Sequence, residues 1–328
     1  MQSTGPQSRT DLLHLNDFPR RYVLGDWGTS HLRLFLFEDD VIGASSEGPG
    51  IGTLAGTPAD ALARKLGELI APWIQPERPM DVTLSGMIGS RNGLFDVPYA
   101  SLPVDHAAWA RAAWRAQMHG MNITIATGLR GNGEGVGGDV MRGEETQIFG
   151  ALRLDAELAT GFHLFVLPGT HSKWVEVRNG SVVRFRTVMS GEVYALLSNH
   201  SILLKSALAD GNTDSDTDAG FSAGIERCKH LAEGLLAALF ETRIAQLLEN
   251  RSRGWAAGFL SGLLIGYEVT SLSGAYSTQG GVKIVGEPAL ASLYRRAFSD
   301  HGVEAHSLDG AACAIAGLHG LRACARSA

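Results

Sequence analysis

Cysteine is scarce: Cys228, Cys313 and Cys324 are the three in 328 residues, and no two stand at Cys-x-x-Cys spacing. An odd, dispersed set argues against a disulfide framework or a zinc site and points to reduced thiols in a cytoplasmic protein. Long apolar runs are missing as well, none approaching the ~18 residues of a membrane span. No block of lysine and arginine occurs and the net charge is −6, which argues against nonspecific nucleic-acid binding. Residues 1–19 are polar, lack the apolar stretch of a signal peptide and read as a loose tail. The Gly-x-x-x-x-Gly-Lys-Ser/Thr signature is absent, so a P-loop nucleotide site is excluded. Neither His-Glu-x-x-His nor Gly-x-Ser-x-Gly occurs, and the 11 histidines show no ligand spacing.

Glycine is what the chain has in plenty, 41 residues, interspersed with apolar segments that make up 45% of the composition. That fits many tight turns and close backbone approaches in an ordinary globular protein. The length suggests two domains of roughly 150 residues each.

The chain is organised around residues 22–37. An apolar run ends in Asp26, a short turn carries Gly28, Thr29 and Ser30, and Leu32, Leu34 and Leu36 then alternate with Arg33, Phe35 and Phe37. Period-2 alternation about a polar glycine turn reads as a hairpin. A carboxylate at a strand end can hold hydrated Mg²⁺, and the turn offers amides and hydroxyls to phosphate; an ordinary polar hairpin tip is the alternative. Residues 163–187 repeat the pattern: a strand, a turn with Gly169, Thr170, His171 and Ser172, then Lys173 in an alternating strand, the Asn179-Gly180 turn and a third strand. Two halves that each open with a three-strand meander suggest a duplicated fold with a cleft between the copies. Brought together, the two turns could clamp the β- and γ-phosphates and a metal.

Other segments are read more briefly. A helix is expected from Thr57 as N-cap and Pro58 as first residue, another over 109–118, and further helices over 221–233 and 235–249 after a polar loop at 210–218. Gly258, Gly262 and Gly266 recur every four residues in an apolar helix, which lets another element approach closely. Gly286 ends a strand before a helix, so its bare backbone could pass close under an adenine ring. Gly133-x-Gly135-x-x-Gly138 has the dinucleotide spacing but stands too far after its strand, so a loop is preferred to a dehydrogenase site. In the helix expected over 141–154, at about 100° per residue, Glu145 lies in the middle of the apolar face and Glu144 at its edge. A carboxylate there is costly unless it is paired or used; a buried salt bridge with Arg142 or a distant arginine is the alternative to a functional role.

Six stretches carry a family resemblance: Asp26-Trp-Gly-Thr-Ser30, Ser85-Gly-Met-Ile-Gly-Ser90, Met141-Arg-Gly-Glu-Glu-Thr-Gln147, Leu167-Pro-Gly-Thr-His-Ser-Lys-Trp174, Arg186-Thr-Val-Met-Ser-Gly-Glu192 and Phe259-Leu-Ser-Gly-Leu-Leu-Ile-Gly266. In these the chain resembles the 2-dehydro-3-deoxygalactonokinases, within the superfamily of actin, heat-shock chaperones and sugar kinases. The resemblance implies an α/β protein of two ribonuclease-H-like, actin-like domains with an interdomain cleft, expected at 20–157 and 158–328. It implies transfer of the ATP γ-phosphate, with Mg²⁺, to the terminal hydroxyl of 2-dehydro-3-deoxy-D-galactonate. Asp26 would hold the metal; Gly28, Thr29, Ser30, Gly169, Thr170, His171 and Lys173 would hold phosphates; Gly286 would lie at adenosine. Glu145 is the candidate base, with Glu144 in reserve, and the substrate would meet Ser90, Arg91, Asn92 and Arg142, one of the arginines taking its carboxylate. A phosphatase or polyphosphate hydrolase on the same fold is the first alternative, and a nucleotide-binding protein without catalysis the second. The partners expected are the sugar acid and ATP, with no membrane and no nucleic acid. The oligomeric state stays open, a homodimer being the expectation carried forward.

Overall fold

Alternation over 31–38 becomes a strand that turns Leu32, Leu34 and Leu36 into the core and leaves His31, Arg33 and Glu38 exposed. In the computed structural model, residues 21–75, 78–132, 138–205 and 214–325 are described. The first half comprises β1 (Arg21–Trp27), β2 (His31–Glu38), β3 (Val41–Pro49), α1 (Ala59–Ile70), β4 (Met80–Ser85), β5 (Ala100–Ser101), β6 (Val104–Asp105), α2 (His106–Arg111), β7 (Trp114–Met118), β8 (Met121–Ile125), β9 (Leu129–Gly131), β10 (Asp139–Met141) and α3 (Glu144–Leu154). The second comprises β11 (Phe162–Leu167), β12 (Ser172–Arg178), β13 (Ser181–Val188), α4 (Ser190–His200), α5 (Asp214–Cys228), α6 (Leu235–Leu239), α7 (Glu241–Leu248), α8 (Arg253–Ser273), β14 (Val282–Gly286), α9 (Pro288–Asp300), β15 (Ala305–Asp309) and α10 (Gly310–Ala325).

The duplication is visible in the sheets. The first runs β3-β2-β1-β4-β8-β7 and the second β6-β13-β12-β11-β14-β15. In each, the opening three strands form an antiparallel meander and the next two join parallel to the first strand. The shared order makes both halves ribonuclease-H-like, the actin-like architecture expected.

The halves are not separate on either level: the second sheet takes β6 from before residue 157, paired with β13, and the cores are shared as well. Ile148 and Phe149 of α3 and Trp109 of α2 share one apolar cluster with Phe165, Val175 and Phe185 of the second sheet. Conversely, Leu318 of α10 packs with Tyr22, Leu24 and Phe37 of the first sheet. The two helices meet through small residues: a Cβ built on Gly317 would collide with the carbonyl of Thr146, and one on Gly150 with that of Cys313. Gly317→Val is therefore expected to cost on the order of 3 kcal/mol or more of stability, read from denaturant unfolding, because neither backbone can yield. The glycines of α8 act in the same way, Gly258 and Gly262 lying against Thr217 and Phe221 of α5.

Four local expectations differ from the structure. Residues 114–118 form a strand at the sheet edge, closed on β8 by the His119-Gly120 turn at positive φ. The helix expected from Thr57 begins at Ala59, with Pro58 at the cap position and no side-chain cap. Asp214 and Asp216, read as loop, occupy the first turn of α5, where carboxylates are favoured by the helix dipole. The glycine-rich stretch at 128–138 contributes β9, while Gly133 and Gly135 lie outside the described residues.

Candidate active site

Each meander delivers its first turn to the same place. A cleft of about 650 Å³ between the halves is lined by Asp26, Gly28, Thr29 and Ser30 from one turn and Gly169, Thr170, His171 and Lys173 from the other. Arg142, Glu144 and Gly286 line it too. Glu145, Ser90, Arg91 and Asn92 are not among its lining residues. Arg91 has an 88% exposed side chain, 3.4 Å from Asp96, and Ser90 donates to the Met87 carbonyl at 2.7 Å.

Asp26 is the penultimate residue of β1, paired with Ser85, the last residue of β4. Burial raises its pKa, opposed by the Arg33 guanidinium 3.2 Å away. The space beside it is set by glycines. Gly86 holds φ +89°, and a Cβ there would lie 2.8 Å from the Trp27 carbonyl and 3.0 Å from Asp26 Oδ1. Gly143 holds φ +114° and faces Gly86 across the gap, so both need a conformation that side chains disfavour.

Gly143 also starts α3, whose first turn carries the two glutamates. Their side chains reach back to backbone amides. Glu144 Oε2 accepts from Arg142 N–H at 3.1 Å, and Glu145 Oε2 accepts from Gly143 N–H at 2.7 Å. Glu144 faces the cleft, its Oε1 3.6 Å from the buried Lys173 ammonium. Burial raises its pKa and Lys173 opposes that. Glu145 is fully enclosed, as the helical-face reading implied, and burial together with the neighbouring Glu144 charge raises its pKa to about 8.

The sign of that shift has a consequence for stability. Native Glu145 keeps its proton to about pH 8, whereas the unfolded carboxyl releases it near 4.5. Its contribution is full below pH 4.5 and is lost as pH rises to about 8. Glu145→Gln, which cannot ionise, is expected to flatten the decline in unfolding free energy over that window, measured by urea titration at several pH values.

Arg142 is buried and held in place: Nη2 donates to the Val97 carbonyl at 2.6 Å and the guanidinium lies 4.3 Å from the centre of the Tyr99 ring. Its Nε and Nη1 are enclosed without a hydrogen-bond partner. An unpartnered buried guanidinium edge is costly unless an anion meets it.

Behind the second turn, His171 Nε2 lies 2.5 Å from Glu192 Oε2, and Gly191 packs against Gly169. On the other wall, α9 and α10 bring their N-termini to the cleft at Gly286-Glu287-Pro288 and Asp309-Gly310-Ala311. Glu287 and Asp309 cap these helices through the amides of Ala289, Leu290, Ala311 and Ala312. A second cavity of about 360 Å³ shares Gly169 with the cleft and is lined by apolar side chains including Phe221, Leu264, Ile265, Leu290 and Leu293.

Sequence reasoning missed Arg33, Gly86, Tyr99, Gln147, Asp309 and Gly310, all of which line the cleft. Asp309-Gly310 directly before the closing helix was a readable cap signal. Tyr99 and the second cavity come from tertiary packing that no local pattern announces.

Comparison with known proteins gives a consistent answer. A family model described as 2-keto-3-deoxy-galactonokinase matches residues 26–321. The 2-dehydro-3-deoxygalactonokinase of Escherichia coli (strain K12) is 34% identical over 303 residues, 92% of this chain and 97% of that protein. A candidate 2-dehydro-3-deoxygalactonokinase of Rhizobium meliloti (strain 1021) is 33% identical over 299 residues, 90% and 95% of the two chains. The crystal structure of a candidate enzyme of that name from Sinorhizobium meliloti superposes with a TM-score of 0.81 at 32% identity, covering 93% of this chain and 98% of that one. The chain belongs to the 2-keto-3-deoxy-galactonokinase family.

Proposed function

We propose that this kinase transfers the γ-phosphoryl group of ATP to the terminal hydroxyl of 2-dehydro-3-deoxy-D-galactonate, giving the 6-phosphate. The observation that carries the reading is the meeting, in one cleft, of two hydroxyl-bearing turns, the carboxylates of Asp26 on β1 and Glu144 on α3, and the buried Arg142. The turns at 28–30 and 169–171 receive the polyphosphate, with Lys173 supplying positive charge. Adenosine follows from Gly169 and Gly286 into the apolar second cavity, whose walls suit an aromatic base.

Among the described residues no three acidic, cysteine or histidine groups converge on one point. Asp26, a cleft carboxylate beside the first turn, would suit Mg²⁺ whose other ligands are phosphate oxygens and water; the ion would neutralise phosphate charge. Arg142, at the cleft wall, takes the sugar-acid carboxylate. Glu144, at the cleft surface, accepts the proton of the attacking hydroxyl as its oxygen bonds to the γ-phosphorus and the bond to the ADP oxygen breaks. Glu145 lies under it, fixing Gly143 and the start of α3. The hydrolase alternative finds no support in the comparisons.

The product tests this reading. After incubation with Mg-ATP and the sugar acid, phosphorus NMR is expected to show a phosphomonoester split by two methylene protons, alongside ADP. Inorganic phosphate and ADP with no phosphomonoester would replace the kinase with a hydrolase.

A further inference from the structure

Deep in the second half, one carboxylate gathers donors from three elements around the proposed nucleotide site. Glu268, on α8, is 2% exposed. Its Oε1 accepts from Trp174 Nε1 at 2.7 Å, and its Oε2 from Ser190 Oγ at 2.5 Å and Tyr294 OH at 2.8 Å. Tyr294 OH lies in turn 2.7 Å from Ser172 Oγ. Each partner sits at a place that matters. Ser172 is the first residue of β12, directly after the 169–171 turn. Ser190 opens α4, whose next residue, Gly191, leaves no room for a Cβ against the Gly169 carbonyl, and Glu192 N–H donates to the Thr170 carbonyl at 2.9 Å. Tyr294 and Ser190 both line the second cavity.

We propose that Glu268 is a positioning residue that fixes the second phosphate turn relative to the adenosine cavity, acting through Ser190, Tyr294 and Ser172. This rests on the nucleotide reading above, and touches neither the sugar pocket nor the proton acceptor. A buried carboxylate used only to fill space would be unfavourable, since an apolar side chain of similar size packs as well without desolvation. Here both oxygens act as acceptors for donors from β12, α4 and α9, so one carboxylate ties the spacing of those three elements. Glu268→Gln turns an amide N–H₂ toward the Ser190 and Tyr294 hydroxyls, which must then accept rather than donate, and so reverses that arrangement. Tyr294→Phe removes the hydroxyl that links Glu268 to Ser172 with little change in volume.

The test is titration calorimetry of Mg-ADP against the full chain, which needs no sugar acid, joined to steady-state kinetics and thermal melts. Both variants are expected to weaken Mg-ADP binding and raise the KM for ATP about tenfold. The KM for the sugar acid and kcat at saturating ATP are expected to stay within about twofold. Variants that melt earlier yet bind Mg-ADP as tightly as the parent would overturn the proposal, leaving Glu268 a purely structural residue. If Glu268→Gln fails to fold, a folded Tyr294→Phe with unchanged nucleotide affinity overturns it equally. A parent protein that does not bind Mg-ADP overturns the nucleotide reading itself, and this inference with it.

Discussion

Glu144→Gln is expected to lower kcat about a thousandfold, within the range set by removing a general base. The glutamine keeps the side-chain oxygen that accepts the Arg142 amide but cannot take a proton from the attacking hydroxyl. Its neighbour Lys173 loses an ion pair at 3.6 Å while remaining beside the cleft, so ATP binding is expected to change far less than turnover. The pH profile carries the same assignment. Burial raises the Glu144 pKa from its ordinary 4.5, so the acid limb of kcat is expected above the range of an exposed carboxylate and to vanish in the variant. Glu145→Gln separates the two glutamates: being enclosed, it is expected to alter stability against pH more than the chemical step. A Glu144→Gln enzyme that turns over normally, beside an inactive Glu145→Gln, would return the base to Glu145 and require α3 to move.

Arg142→Ala is expected to lower kcat/KM for the sugar acid by roughly hundredfold, about 3 kcal/mol, the scale of a charge-assisted pair with a carboxylate. The KM for ATP is expected to change little. Arg142→Lys should recover only part of the loss, because an ammonium cannot supply two parallel N–H groups or be held as the guanidinium is by Val97 and Tyr99. Arg91→Ala makes the contrast. With an 88% exposed side chain outside the cleft, it is expected to leave kcat/KM within about threefold. Equal losses at both arginines would mean that the loop after β4 folds over the substrate, bringing Arg91 inward.

How much of this was legible depended on whether the signal was local. The two meanders could be read because alternation and turn chemistry are properties of neighbouring residues, and their repetition gave the duplicated α/β fold. The same holds for Glu145, whose enclosure follows from helical periodicity alone. The choice between the glutamates was different. Which of them faces the cleft depends on Gly143 and Gly86 meeting across the gap, a contact between segments distant in sequence. Residues 114–118 misled although Trp114, Ala116 and Met118 alternate with Arg115 and Gln117, because five residues are a short run and the propensities of Ala, Gln and Met favoured continuing the preceding helix. Strand β15 went unread for a related reason: Ala305-His-Ser-Leu-Asp309 is largely exposed and takes its strand conformation from pairing with β14. Glu268 sits in an apolar helix where nothing in the spacing announces its partners, which come from β12, α4 and α9.

The most direct measurement is ADP release by the purified protein with Mg-ATP, with and without 2-dehydro-3-deoxy-D-galactonate. Release that depends on the sugar acid, saturates with it and matches phosphomonoester formed is the expected result. Release at the same rate without any sugar acid would contradict the kinase assignment and identify a nucleotide hydrolase on this fold.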